Sequence, residues 1–264
     1  MKSDNRSLGA LMIAPFILFI FLGGFPLEIF TFVLSALGLY EFYKALREKE
    51  FKPIDIVGYI LLLLYYLIGH NFEALTYILV LAVFILLIIP VINLKYTFID
   101  VALTVLGFLY VGVFFSFIYL VSEMPGGSFY VWLIFIGSWM TDTTAYYAGR
   151  LFGKTKLCPE VSPKKTVEGS LGGLVGATLF CGLYGVFVTR YVAYVPLYHF
   201  FIIGAICGVF SQFGDLVASS VKRYVGIKDY SKLIPGHGGI LDRFDSILFS
   251  GVVVFYYLTF ILNL

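Results

Sequence analysis

The sequence predicts an all-α polytopic membrane protein of about nine transmembrane helices, its N-terminus in the cytoplasm and its C-terminus on the opposite side. Three observations carry this expectation. Hydrophobic residues fill 60% of the 264 positions and the mean hydropathy is +0.96. Charged residues make up 13%, where a soluble domain carries about 25%, so 18 basic and 16 acidic side chains cannot cover a wet surface. Finally, nearly every cation falls on one side of the predicted membrane. The composition also excludes disorder, collagen and coiled coil, and a net charge of +2 suggests no nucleic-acid partner.

A spanning helix takes roughly 17–25 mostly apolar residues. Such stretches lie at 8–23, 27–43, 54–69, 74–93, 98–121, 128–149, 169–190, 198–220 and 244–263. Only Gly23-Gly24-Phe25-Pro26, a tight-turn signal, separates the first two. Residues 8–23 read as a retained helix, since no small-residue cleavage site marks a signal peptide. The stretch 54–69 is short for a span. With nine spans, 17 of the 18 Lys and Arg residues fall on one side and only Arg190 on the other. The positive-inside rule then places the N-terminus in the cytoplasm. The three cysteines, Cys158, Cys181 and Cys207, have no metal-site spacing and read as reduced, partly buried thiols.

Residues 1–127, about five helices with short loops, read as a transmembrane scaffold. Residues 128–264 read as a catalytic transmembrane region with two basic cytoplasmic loops, 150–168 and 221–243, which hold 10 basic residues between them. An ionisable group inside a span is costly unless paired or hydrated, and so is a functional hypothesis by default. Asp142 lies within the sixth span and Asp215 within the eighth, while Asp242 and Asp245 open the ninth. From Asp215, helical spacing puts Ser219, Lys222 and Arg223 on one face. Around Asp142, the residues Ser138, Ala145, Tyr146 and Gly149 form a mostly small stripe that admits another helix closely.

Several carboxylates directed at one spot repel one another unless a cation lies between them. Mg²⁺ suits such hard oxygen ligands, taking one or two carboxylates plus water and substrate phosphates. The alternative is a set of Asp–Arg pairs that stabilise helix packing, such as Arg243 with Asp242 or Asp245. Lys and Arg in the basic loops suit phosphate. The turn Pro235-Gly236-His237-Gly238-Gly239 lets backbone approach a ligand closely. Thr166 is placed to cap the helix that follows, whose N-terminus favours an anion. Together these residues point to Mg²⁺-dependent chemistry on a polyphosphate, at a pocket open to cytosol and lipid.

The stretch from Ser219-Ser220-Val221-Lys222-Arg223 through Lys228-Asp229 and Pro235-Gly236-His237-Gly238-Gly239 to Asp242-Arg243-Phe244-Asp245 closely resembles the signature of the phosphatidate cytidylyltransferases, or CDP-diglyceride synthetases. Ala145-Tyr146-Tyr147-Ala148-Gly149-Arg150 and Ser162-Pro163-Lys164-Lys165-Thr166-Val167-Glu168-Gly169 are also similar to this family. The likeness covers about 135–250 well and the N-terminal half only as a hydrophobic scaffold. It implies a Mg²⁺-dependent enzyme of a bacterial inner membrane or an organelle membrane that joins CTP to phosphatidic acid, giving CDP-diacylglycerol and pyrophosphate, with its site facing the cytoplasm. A potassium ion beside the magnesium and a homodimer are further implications of the resemblance. On this reading Asp215, Asp242 and Asp245 hold the metal with Asp142 as a fourth partner. Lys164, Lys165, Lys222, Arg223, Lys228 and Arg243 hold phosphates, Ser219 and His237 orient oxygens, and Gly236, Gly238 and Gly239 permit close approach. The rivals are a CDP-archaeol synthase, a CTP-dependent polyprenol or phytol kinase and, from another class, an ion-coupled transporter.

Overall fold

The computed structural model describes residues 16–70, 72–191, 195–234, 236 and 238–264. Residues 16–22 are helical, and the chain then turns at Gly23 and Gly24, both with positive φ, the left-handed region that glycine enters without a Cβ penalty. The main helices follow as α1 (Gly24–Arg47), α2 (Asp55–Leu67), α3 (Phe72–Ile92), α4 (Phe98–Gly107), α5 (Phe114–Glu123), α6 (Gly127–Phe152), α7 (Val167–Val188), α8 (Tyr198–Val225) and α9 (Leu241–Phe260). A π-helical segment, Phe108–Val113, joins α4 to α5 in one continuous rod.

Among the described residues, six helices are long and apolar enough to cross a membrane: α1, α3, the rod Phe98–Glu123, α7, α8 and α9. The chain is therefore a multi-pass membrane protein. The other three predicted spans differ for separate reasons. Part of 8–23 lies outside the described residues. The stretch 54–69 condenses into α2, whose 13 residues reach roughly 20 Å at 1.5 Å per residue, short of the ~30 Å hydrocarbon core. Helix α6, 26 residues long, falls outside the six on composition, because Asp142 and its hydroxyl-bearing neighbours dilute its apolar character. Among the described residues, the all-α expectation holds apart from a two-stranded antiparallel hairpin, β1 (Lys156–Cys158) with β2 (Ser162–Thr166), inside the predicted 150–168 loop, and an isolated bridge between Ile234 and Gly238.

Small residues set the geometry of the C-terminal half. The stripe on α6 receives α7: a Cβ on Gly169 would fall 2.9 Å from the Ala145 carbonyl oxygen and 3.2 Å from Gly149 Cα. Gly214 does the same between α8 and α9, where a Cβ would meet the Asp245 carbonyl oxygen at 2.4 Å. Since Gly214 adjoins Asp215, this crossing brings two of the intramembrane carboxylates to one level. The rings of Phe16 and Phe135 (5.0 Å) and of Phe16 and Phe244 (5.1 Å) pack at the centre of the bundle. Cys181 and Cys207 are buried, Cys158 is half-buried, and all three are free thiols.

Candidate active site

Two adjoining cavities open at one end of the bundle, and Asp142 lines both. The larger, about 430 Å³, lies among α6, the hairpin, α7 and α8 and is lined by Asp142, Arg150, Lys164, Lys165, Thr166 and Asp215, among others. The smaller, about 240 Å³, is lined by Asp142, Asp242, Arg243 and Asp245 beside Phe16 and Trp139.

Local structure explains how each group arrives there. Thr166 ends β2 and caps α7, its hydroxyl accepting from Gly169 N at 3.1 Å. That places the two preceding lysines at the N-terminus of α7, whose exposed N–H groups favour negative charge. Lys165 Nζ reaches Asp215 Oδ2 at 2.6 Å. One turn beyond Asp215, Ser219 donates to Asp215 Oδ1 at 3.1 Å, as the shared helical face requires. Ser246 bridges the remaining acids, donating from N to Asp245 Oδ1 at 2.8 Å and from Oγ to Asp142 Oδ2 at 3.4 Å.

Asp242 is held differently. Its Oδ1 takes Lys222 Nζ at 2.7 Å, and its Oδ2 accepts from Tyr230 N at 2.8 Å and Gly239 N at 2.9 Å. Both side chains of the Lys222–Asp242 pair are nearly closed to solvent, at 10% and 4% exposure. Gly238 has φ +86°, and a Cβ there would fall 2.9 Å from Asp242 Oδ2. The glycine turn thus wraps one of the protein's own carboxylates. Tyr230, whose ring lies beneath the Lys222 ammonium at 5.4 Å, is buried, and burial raises its phenol above the ordinary tyrosine range.

The structure brings Asp142, Lys164, Lys165 and Asp215 together around the larger cavity, with Ser219 bonded to Asp215, and Asp142, Asp242, Arg243 and Asp245 around the smaller, with Lys222 paired to Asp242. Arg223 points outward and donates to the Ile227 carbonyl at 3.1 Å, closing the C-terminus of α8. Lys228 and Gly236 are exposed and line neither cavity. His237 lies outside the described residues. Two groups from the supposed scaffold went unnoticed in the sequence. Glu41 of α1, 1% exposed, grips the start of α9. Tyr110, in the π-helical segment, carries a buried hydroxyl with no hydrogen-bond partner among the described residues. Glu41 carries the same signal that singled out Asp142, a carboxylate inside an apolar stretch. Tyr110 has no such signal, since buried tyrosines are ordinary.

Among the described residues, no three acidic, His or Cys side chains converge as a ready-made metal cage. The donor set nevertheless fits a hard divalent cation of the kind completed by water and substrate phosphate. Lysine ammonium groups already face Asp215 and Asp242 as a cation would.

Comparison with known proteins identifies the family. The cytidylyltransferase family model matches residues 5–261, and the chain belongs to that family, which makes it a nucleotidyltransferase. Among its relatives, the phosphatidate cytidylyltransferase of Bacillus subtilis (strain 168) is 35% identical over 91% of each chain. That of Staphylococcus epidermidis (strain RP62A) is 35% identical over 86% of this chain and 87% of its own. That of Staphylococcus saprophyticus is 44% identical, but over 59% of this chain and only 58% of its own length.

Proposed function

We propose that this chain is a CTP:phosphatidate cytidylyltransferase of phospholipid biosynthesis. It joins CTP and phosphatidic acid into CDP-diacylglycerol, with release of pyrophosphate, at a site facing the cytoplasm. One observation carries the reading. At one end of an apolar bundle, a single cavity sets the carboxylates Asp142 and Asp215 opposite Lys164, Lys165 and Arg150, beside the N-terminus of α7. That is where a soluble nucleotide and a lipid headgroup can meet. The names of the relatives supply the substrates.

In the reaction, an oxygen of the phosphatidate phosphate attacks the α-phosphorus of CTP. The bond from the α-phosphorus to the bridging oxygen breaks, and pyrophosphate leaves with the electron pair. A phosphate monoester has its second pKa at about 6, so the nucleophile is already ionised and needs little help from a base. The task is to bring two polyanions together and offset the charge gathering on the leaving group. Lys164, Lys165 and Arg150 hold the triphosphate at the α7 N-terminus, and Arg243 and Lys222 serve the lipid phosphate. Ser219 and Ser246 fix the rotamers of Asp215, Asp142 and Asp245.

Asp142, Asp215 and Asp245 would hold Mg²⁺, and Asp242 would join them on exchanging the Lys222 ammonium for the ion. Bound there, the ion would supply charge neutralisation and Lewis acidity at the phosphates. A second ion, potassium, and a homodimer rest on the family resemblance alone. Nine spans with the N-terminus inside and the C-terminus outside complete the reading, supported by the one-sided basic residues.

Purified protein given [α-³²P]CTP, phosphatidic acid and Mg²⁺ should place label in the lipid phase, and excess chelator should stop the transfer. Label entering lipid only from [γ-³²P]CTP would instead make the chain a lipid kinase. Flux of a labelled solute into proteoliposomes without CTP would make it a transporter.

A further inference from the structure

Helix α1 belongs to the half of the chain that carries no signature, yet it sends one carboxylate into the other half. Glu41 is 1% exposed and sits near the C-terminal end of α1, one turn before the exposed Lys44. Its partners come from the far end of the sequence. Oε1 accepts from Ser231 Oγ at 2.5 Å and from Ile240 N at 2.9 Å, and Oε2 accepts from Leu241 N at 2.9 Å. The N–H groups that open a helix have no intrahelical acceptor. Here a residue 199 positions earlier supplies one for the start of α9. The contact is close enough to dictate its neighbour, for a Cβ on Gly239 would fall 2.4 Å from Glu41 Oε1.

Gly239 is gripped from both sides, since its own N–H donates to Asp242. Two carboxylates, one from each half of the chain, therefore fasten the segment 230–241 at its ends. The first turn of α9 begins immediately beyond and carries Asp242, Arg243 and Asp245. We propose that Glu41 is a positioning residue for cytidylyl transfer, the tie by which the N-terminal half sets the entry of α9 and the aim of its three charged side chains. The assignment goes beyond the proposed function and rests on it for the role of those side chains. A carboxylate is required because both of its oxygens must accept. A Gln amide would turn an N–H₂ group toward one of the backbone donors.

The test compares Glu41→Gln and Glu41→Asp with wild type, reading kcat and both KM values per CTP-binding site together with the rate of tryptic cleavage at the exposed Lys232. Glu41→Gln is expected to lower kcat about 10–100-fold, the order of loss known for groups that support a site without touching its ligands. Both KM values should stay near wild type, Glu41→Asp should recover much of the rate, and Lys232 should be cut faster in Glu41→Gln. Wild-type turnover per site in Glu41→Gln would overturn the proposal, and so would a loss wholly accounted for by fewer CTP-binding sites. Should wild type transfer no α-label to lipid, the functional reading fails separately. The cleavage rate then decides on Glu41, and unchanged cutting at Lys232 counts against it.

Discussion

The carboxylates of this molecule fall into two groups that differ in what satisfies them. Around the larger cavity, Asp142 and Asp215 meet mobile partners: a lysine ammonium, serine hydroxyls and the cavity itself. At the start of α9, Glu41 and one oxygen of Asp242 meet backbone N–H groups, which do not leave, while the other Asp242 oxygen faces Lys222. The same side-chain chemistry thus serves two ends. A carboxylate facing a lysine can exchange that cation for another, whereas one saturated by backbone fixes a loop. Asp245 stands between the groups, one oxygen tied to Ser246 and its helix start governed by the second group. Substitutions that separate activity from stability should sort the groups.

The largest expected effect is at Asp215. Asp215→Asn keeps the shape and an acceptor for Ser219 but removes the charge that faces Lys165, and its side chain is 30% exposed. Turnover should fall by about 10²–10³-fold or more, in the range known for loss of one preorganised electrostatic group. The unfolding temperature in detergent should stay near wild type. Asp242→Asn should cost stability as well as turnover. Breaking a buried pair by removing one charge costs about 3–5 kcal/mol, so the unfolding temperature should drop by several degrees. A stable but inactive Asp242→Asn protein would move Asp242 into the first group and break the comparison.

A smaller effect is expected at Lys165. Lys165→Ala leaves the cavity walls intact and removes one cation from the phosphate side. Losing one charge-assisted hydrogen bond should raise the KM for CTP about tenfold, with kcat less affected. Steady-state kinetics with CTP varied at saturating phosphatidate measures this directly. A kcat loss as large as that of Asp215→Asn would mean that Lys165 acts on the reacting phosphorus and not only on binding.

Much of this was legible in the sequence because it depends on local spacing. The Asp215–Ser219 contact follows from four residues of helix, and the Thr166 cap from its place before an apolar run. The apolar stretches gave the long helices, though α2 came out at 13 residues, shorter than the stretch 54–69, because apolar composition cannot say where a buried helix stops. What stayed hidden is long-range. No spacing rule links Glu41 to Leu241, 200 residues apart. The glycine turn shows the limit best. Its glycines read as room for a ligand's approach, and the structure shows Gly238 and Gly239 making room for Asp242 and Glu41.

The smallest effect calibrates the rest. Arg47 at the end of α1 pairs with Asp55 at the start of α2, with side chains 49% and 22% exposed. By residue type this is the same kind of pair as Lys222–Asp242, and the difference is water. An exposed pair gains little over its hydrated partners and pays side-chain entropy to hold one geometry, leaving about 0.2–1 kcal/mol. Arg47→Ala should therefore shift the unfolding temperature by a degree or two at most, with turnover unchanged, and added salt should shrink even that difference. If Arg47→Ala instead matched Asp242→Asn in lost stability, burial would not be what separates the two pairs. The division between exchangeable and fixed carboxylates would then need a different physical basis.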